Sequence, residues 1–121
     1  MSDAEWDPYN RDCPSRTLLD RVSNRWSILV IGTLASGPRR FNEIAAAVDG
    51  VSQKMLAQTL RGLEHDGLVT RTVTAQVPVR VDYALTEAGQ SLREPLAALE
   101  GWVRAHMSDV EAARRDTAGV A

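Results

Sequence analysis

The chain has 121 residues and a net charge of −2, a length that suits one domain with a small core and leaves no room for a second independent one. Its single cysteine excludes an internal disulfide framework and any zinc site built on several cysteines, and its two histidines, His65 and His106, stand without ligand-like spacing. With no glycine-rich phosphate loop and no Ser–His–Asp set in view, neither catalysis, a cofactor nor a metal is expected.

The charge is unevenly spread. Residues 16 to 80 hold nine basic side chains (Arg16, Arg21, Arg25, Arg39, Arg40, Lys54, Arg61, Arg71, Arg80) against five acidic ones (Asp20, Glu43, Asp49, Glu64, Asp66), a local +4. The first fifteen residues and the stretch from Val81 onwards each sum to −3. A basic middle between acidic ends is the pattern of a DNA-facing module joined to segments that do not bind. No cationic and apolar leader opens the chain, and the longest nearly uncharged run, Trp26 to Pro38, is too short to span a bilayer. No membrane partner is expected, and the expected location is cytoplasmic.

Residues 1 to 14, with Asp3, Glu5, Asp7, Pro8, Asp12 and Pro14, have neither a helical nor a strand period and are expected to form an arm. Trp6 and Tyr9 either anchor this arm against a partner subunit or are disordered with it. Cys13 is the one residue whose chemistry could carry regulation. Arg11, Arg16 and the dipole of a helix beginning at Pro14-Ser15 would lower its thiol pKa, and Asp12 would oppose them. Two readings stand: a redox-sensing thiol that pairs between subunits or with a small thiol, or a partly buried structural cysteine.

Leu18, Leu19 and Val22 recur at helical spacing and predict a first helix over residues 15–24. A second, over 25–36, offers Trp26, Leu29, Val30, Thr33 and Leu34 to the core and is stopped by Gly37-Pro38. Asn42 is the expected N-cap of a third helix reaching Val48, with Phe41 stapled on Ala46. Arg39 and Arg40 either pair with acidic neighbours or reach a phosphate beside a docked duplex.

Asp49-Gly50-Val51 is a tight turn of the kind that joins two helices of a helix-turn-helix. The next segment, Val51 to Gly67, reads as one capped amphipathic helix, with Ser52 as N-cap and Gly67 past its end. Leu56, Leu60 and Leu63 fall on one side, and Lys54, Gln58, Arg61 and His65 on the other. A polar face of this kind can be merely solvated. Its position after a short helix and a turn favours a DNA groove instead. Gly62, inside this helix, costs about 1 kcal/mol relative to alanine; such a glycine can mark a close backbone approach, which the sequence alone does not show.

Two β-branched and aromatic runs, LVTRTVTA and RVDYALT, flank Gln76-Val77-Pro78-Val79 and predict a two-stranded hairpin. The fold class is therefore mainly α with a small β-hairpin (α+β), in the order of a winged helix-turn-helix. Thr86 then caps a last helical region in which Leu92, Leu96, Leu99, Val103, His106 and Val110 recur at spacings of 4, 3, 4, 3 and 4. Trp102 and Met107 flank this seam, and Pro95 is expected to kink or divide the helix at Glu94. The seam can be covered by a second copy of the chain or by folding back on the first two helices, and a homodimer is the more economical solution. Residues past Arg114 are expected to fray. The expected organisation is an arm over 1–14, a winged helix-turn-helix over 15–86, and dimerisation helices with a frayed tail over 87–121.

Taken together, these residues resemble the HxlR-type, MarR-related bacterial transcriptional regulators. The resemblance rests on Cys13-Pro14, Arg25-Trp26, Arg40-Phe41 with Glu43-Ile44, Ser52, Lys54-Met55-Leu56, Leu60-Arg61, Leu63-Glu64, Asp66-Gly67-Leu68 and Arg71. It continues through Pro78, Val81-Asp82-Tyr83, Leu85-Thr86, Gly89, Pro95 and Trp102, and covers roughly residues 13 to 107. Asp82 stands where the family usually has glutamate, and Ser23-Asn24 where a glycine is common.

The resemblance implies a cytoplasmic homodimeric repressor or activator, with the helix over 52–66 in the major groove and the hairpin against the backbone or minor groove. It also implies dimer contacts from the first and last helices, here Leu18 with Leu92, Leu96, Leu99, Trp102, Val103, His106 and Val110. Some relatives sense oxidants or electrophiles with the cysteine that matches Cys13. Gln53, Lys54, Gln58 and Arg61 are the candidates for base edges, since arginine suits guanine and glutamine suits adenine. Ser52, Arg40, Arg71 and Arg80 are the candidates for phosphate. The alternative is a winged helix used as a protein-interaction module, its basic strip only solvated.

Overall fold

The computed structural model describes residues 5–119. Pro14 opens α1 (Pro14–Ser23) at the position where a missing N–H is no loss. Asn24, in an extended conformation, ends that helix and caps the next, its side chain accepting from the Trp26 N–H at 2.9 Å. The following α2 (Arg25–Leu34) buries Ser27, Val30, Ile31 and Leu34 and packs on α1 and on most of the elements that follow.

α3 (Phe41–Ala47) begins one residue earlier than the sequence suggests. Its N-cap is Arg40, not Asn42, because Glu43 reaches back to accept from the Arg40 backbone N–H at 2.9 Å. Phe41 is thereby the first helical residue, half-buried against the core rather than stapled from outside it. Val48 closes the helix, and Gly50 makes the turn with a φ of 86° that a side chain would resist.

α4 (Gln53–His65) has the caps its sequence promised. The Ser52 hydroxyl accepts from the Met55 N–H at 3.0 Å. At the other end the Leu68 and Gly67 N–H groups donate to Leu63 and Glu64 at 2.9 and 3.0 Å, the paired bonds of a Schellman motif around a left-handed glycine. Leu56, Leu60 and Leu63 lie in the centre of the core with Ile31, Leu34 and Ile44.

β1 (Val69–Thr74) and β2 (Arg80–Leu85) form an antiparallel hairpin running from Val69↔Leu85 to Thr74↔Arg80. An extra rung, with Arg39 and Tyr83 exchanging both backbone bonds at 2.9 Å, ties β2 to the segment just before α3. Thr86 then caps α5 (Glu87–Ser91) by accepting from the Gly89 N–H at 3.1 Å, while its hydroxyl donates to the Gly67 carbonyl at 2.7 Å.

The last helix, α6 (Arg93–Gly119), is separated from α5 at Leu92. The division therefore does not fall at Glu94: Pro95 sits in the first turn of α6, where its missing N–H disturbs no hydrogen bond. Over its 27 residues α6 is about 40 Å long, and it continues past Arg114 instead of fraying there. The end of the expected frayed tail, Val120 and Ala121, and residues 1–4 of the expected arm lie outside the described residues. α6 meets the rest of the fold chiefly through α2 and α5, and none of its described residues is fully buried.

Ahead of α1 the arm is folded rather than formless. Backbone turns link Asp7 to Asn10 and Asn10 to Cys13, and Arg16 donates to the Pro8 and Tyr9 carbonyls at 2.6 and 2.7 Å. Trp6 and Tyr9 themselves remain 47% and 93% exposed.

Candidate nucleic-acid interface

The two sides of α4 separate as its 3.6-residue period requires. Leu56, Leu60 and Leu63 are closed off from water, whereas Gln53, Lys54, Gln58, Arg61 and His65 are exposed. Ser52 stands at the head of this face; its oxygen serves the cap, but its O–H remains free to donate. Gln58 occupies the margin of the face, lining a crevice of about 280 Å³ with Thr17, Asp20 and Met55.

Arg40 and Arg80, forty positions apart in sequence, line the same crevice. The crevice, of about 380 Å³, lies beside the start of α3 and is completed by Asn42 and Glu43, a juxtaposition made by the Arg39–Tyr83 rung. Arg80 is engaged there: its Nε donates to Asp82 at 2.9 Å. That bond, followed by the charges of Asp82 and Glu43, holds its pKa above the usual arginine value. Arg71 lies exposed on β1 opposite Tyr83. Beyond the Thr74–Arg80 pair the wing tip carries Val77 and Val79, both exposed, and no charge.

One basic residue of the middle segment is paired within the fold at the end of α4. Arg21 on α1 forms an ion pair with Asp66, the C-cap residue of α4, and its guanidinium lies against Gly62, where a Cβ would collide with it. In the sequence Arg21 figures only as charge, and the one local sign of this contact is a glycine in a helix interior.

Cys13 is half-buried at the N-cap of α1, its Sγ 3.0 Å from the Ser15 hydroxyl and accepting from the Asp7 N–H at 3.4 Å. The Ser15 hydroxyl first, then the Asp7 and Ser15 backbone N–H groups, hold the thiol below its ordinary pKa; burial and the Asp7 carboxylate oppose them. Neither Arg11 nor Arg16 is a cause of the shift, and Arg16 is turned onto the arm's carbonyls. The opposing carboxylate is Asp7, not Asp12.

The C-terminal seam divides. Leu92 and Leu96 pack on the core, whereas Leu99, Trp102 and Val103 are about half exposed. His106 stacks on Trp102 with ring centroids 4.4 Å apart, and Val110 is half-buried one turn further on. Leu99 and Val103 line an apolar groove of about 370 Å³ with Ile28 and Leu29 of α2, rimmed by Arg25, Glu100 and Arg104. Leu18 and Leu19 on α1 are likewise half exposed. Among the described residues no helix is long and apolar enough to cross a membrane.

Comparison with known proteins accords with this geometry. A family model described as HxlR-like helix-turn-helix matches residues 21–111. The HTH-type transcriptional regulator YtfH of Escherichia coli (strain K12) is 39% identical over 110 residues, which are 91% of this chain and 87% of that one. The solved structure of the transcriptional regulator ytfH from Salmonella typhimurium superposes with a TM-score of 0.85 at 37% identity, covering 91% of this chain and 98% of the other. The redox regulator HypR in its reduced form gives a TM-score of 0.75 at 33% identity, over 82% of this chain and 98% of its own. A winged helix-turn-helix with an exposed polar helix, matched by this family model over three-quarters of its length, places the chain in the HxlR-like helix-turn-helix family of DNA-binding transcriptional regulators.

Proposed function

We propose that the protein regulates transcription in the cytoplasm as a homodimer on an inverted-repeat operator, each copy setting α4 into a major groove. The observation that carries this reading is the division of α4: three leucines wholly buried on one side, and Lys54, Gln58 and Arg61 exposed on the other. Two such helices related by a twofold axis would enter successive grooves about 34 Å apart. Arg61, Lys54, Gln53 and Gln58 take base edges. Ser52 and Arg40 take phosphates beside the groove, and Arg71 and Arg80 take them along the wing. Leu18 with Leu99, Trp102, Val103, His106 and Val110 supplies the apolar surface for the second copy.

The test is a titration of purified protein against duplex DNA enriched from a random pool, repeated at several salt concentrations. Affinity should fall steeply and linearly on logarithmic axes as phosphate-bound counterions are released. Absence of binding even at low salt would instead support a protein-interaction module.

A redox response through Cys13 is favoured by its lowered thiol pKa and by the likeness to HypR. Oxidised protein run without reductant should show a Cys13-dependent dimer or adduct and a changed affinity for the enriched duplex. If neither appears, Cys13 is a structural cysteine.

A further inference from the structure

α4 is held on its core side by leucines, whose apolar contacts are non-directional and resist a small rotation of the helix only weakly. A rotation of about 20° would carry a side-chain tip roughly 2 Å around a helix of ~6 Å radius, enough to break a hydrogen bond to a base edge. Reading DNA with α4 therefore calls for a directional contact away from the leucines.

Arg21 makes that contact. It extends from α1 across the backbone of Gly62 to the carboxylate of Asp66, 45 positions later, so it grips the last turn of α4 on the flank between the leucines and the exposed face. Both partners are sheltered, their side chains 31% and 22% exposed, which weakens screening by salt. Gly62 is buried, and the space its Cβ would fill is taken by the guanidinium, 2.7 Å away at Cζ. This gives the interior glycine its physical reason: any side chain there would push Arg21 off the helix.

We propose that Arg21 is a positioning residue for DNA recognition, setting the rotation of α4 through its ion pair with Asp66 across Gly62, and so acting on sequence discrimination without touching DNA. The proposal rests on the reading of α4 as the DNA reader. It predicts an unusual sign. Removing the Asp66 charge takes an anion away from the DNA-binding helix, which by general electrostatics should tighten binding to any duplex. As one half of the grip on α4, its loss should weaken binding to the preferred sequence.

The experiment compares wild type with Asp66→Asn, Gly62→Ala and Arg21→Met, measuring affinity for the enriched duplex and for a scrambled duplex of equal length across a salt series. In each variant the ratio of the two affinities should fall on the order of tenfold, the worth of one lost base-edge contact. The salt slope should stay unchanged, because Arg21 neutralises Asp66 and not a phosphate. Gly62→Ala guards against a trivial result: alanine is the better helix former, and only the flexible end of Arg21 must move to admit it, so this variant should fold at least as well as wild type. Three outcomes would overturn the proposal. One is variants that keep the wild-type ratio, with or without a lower unfolding midpoint. Another is an Asp66→Asn variant that binds both duplexes more tightly. The third is a salt slope reduced by about one in Arg21→Met, which would make Arg21 a phosphate contact. Wild-type protein with no preferred duplex would remove the reading of α4 itself; a wild-type preference that the variants retain removes only the role of Arg21.

Discussion

Arg61 and Arg80 carry the same charge in different surroundings, and the difference separates what each can do. Arg61 stands exposed on α4, with no ion pair or side-chain hydrogen bond among the described residues. Its replacement by alanine should cost about 1–3 kcal/mol on the preferred duplex and relax the preference at one base position, as read by binding to single-base variants. Arg80 is held by Asp82, so on the proposed reading Arg80→Ala removes a phosphate donor and leaves the Asp82 carboxylate unpaired. Binding should weaken evenly across sequences and the salt slope should drop by about one. For Cys13 the sign follows from its largest cause: without the Ser15 hydroxyl to support the thiolate, Ser15→Ala should raise the thiol pKa. The pH at which alkylation by iodoacetamide accelerates should move upwards with it. The face holding Arg61 was legible from the helical period alone. The partners of Arg80 and Arg21 were not equally so. Asp82 is a near neighbour in a strand, whereas Asp66 lies 45 positions from Arg21 and is reached only through packing.

Among the elements, the ends and glycines decide more than the interiors. Ser52→Ala should destabilise the fold by about 1 kcal/mol, because the first turn of α4 loses the acceptor for the Met55 N–H. Two glycine-to-alanine changes should have opposite signs. At Gly89 a Cβ would meet the Leu68 backbone carbonyl and come within 3.2 Å of Leu85, so the root of the wing and α5 would be forced apart at a cost of about 1–3 kcal/mol. At Gly101, in the interior of α6, a Cβ meets nothing within 4 Å, and alanine should gain up to about 1 kcal/mol from helix propensity. Urea denaturation of both variants reads the difference. Element order followed from the sequence with small shifts at the boundaries. Arg40 replaced Asn42 as N-cap because Glu43 is placed to accept from it, and Pro95 proved to be a helix-starting proline once the break fell at Leu92.

For the whole molecule, the decisive surface is the apolar side of the long α6. Leu99 and Val103 face a groove shared with α2, and in a single chain about half of each is left in water. On the proposed homodimer, a Leu99→Glu, Val103→Glu double variant should be a folded monomer by sedimentation equilibrium and circular dichroism, since the core leucines Leu92 and Leu96 are untouched. Its affinity for the proposed inverted repeat should fall 10²-fold or more, because two half-sites would no longer be bound as one ligand. A double variant that stays dimeric would place the interface elsewhere.

What the sequence by itself determined is most of what depends on neighbours three or four residues away. This covers the leucine and polar faces of α4, the Ser52 and Gly67 caps, the hairpin runs, and the family they jointly resemble. Capping, turn formation and periodicity are local, and each leaves its mark in a few adjacent residues. Tertiary structure alone decided which charges are spoken for. It took Arg21 to Asp66 over Gly62, and it brought Arg40 beside Arg80 through the Arg39–Tyr83 rung. It also divided one regular seam into leucines that serve the core and leucines that do not. Contacts between residues some forty positions apart are chosen by how helices and strands pack, which local pattern does not encode.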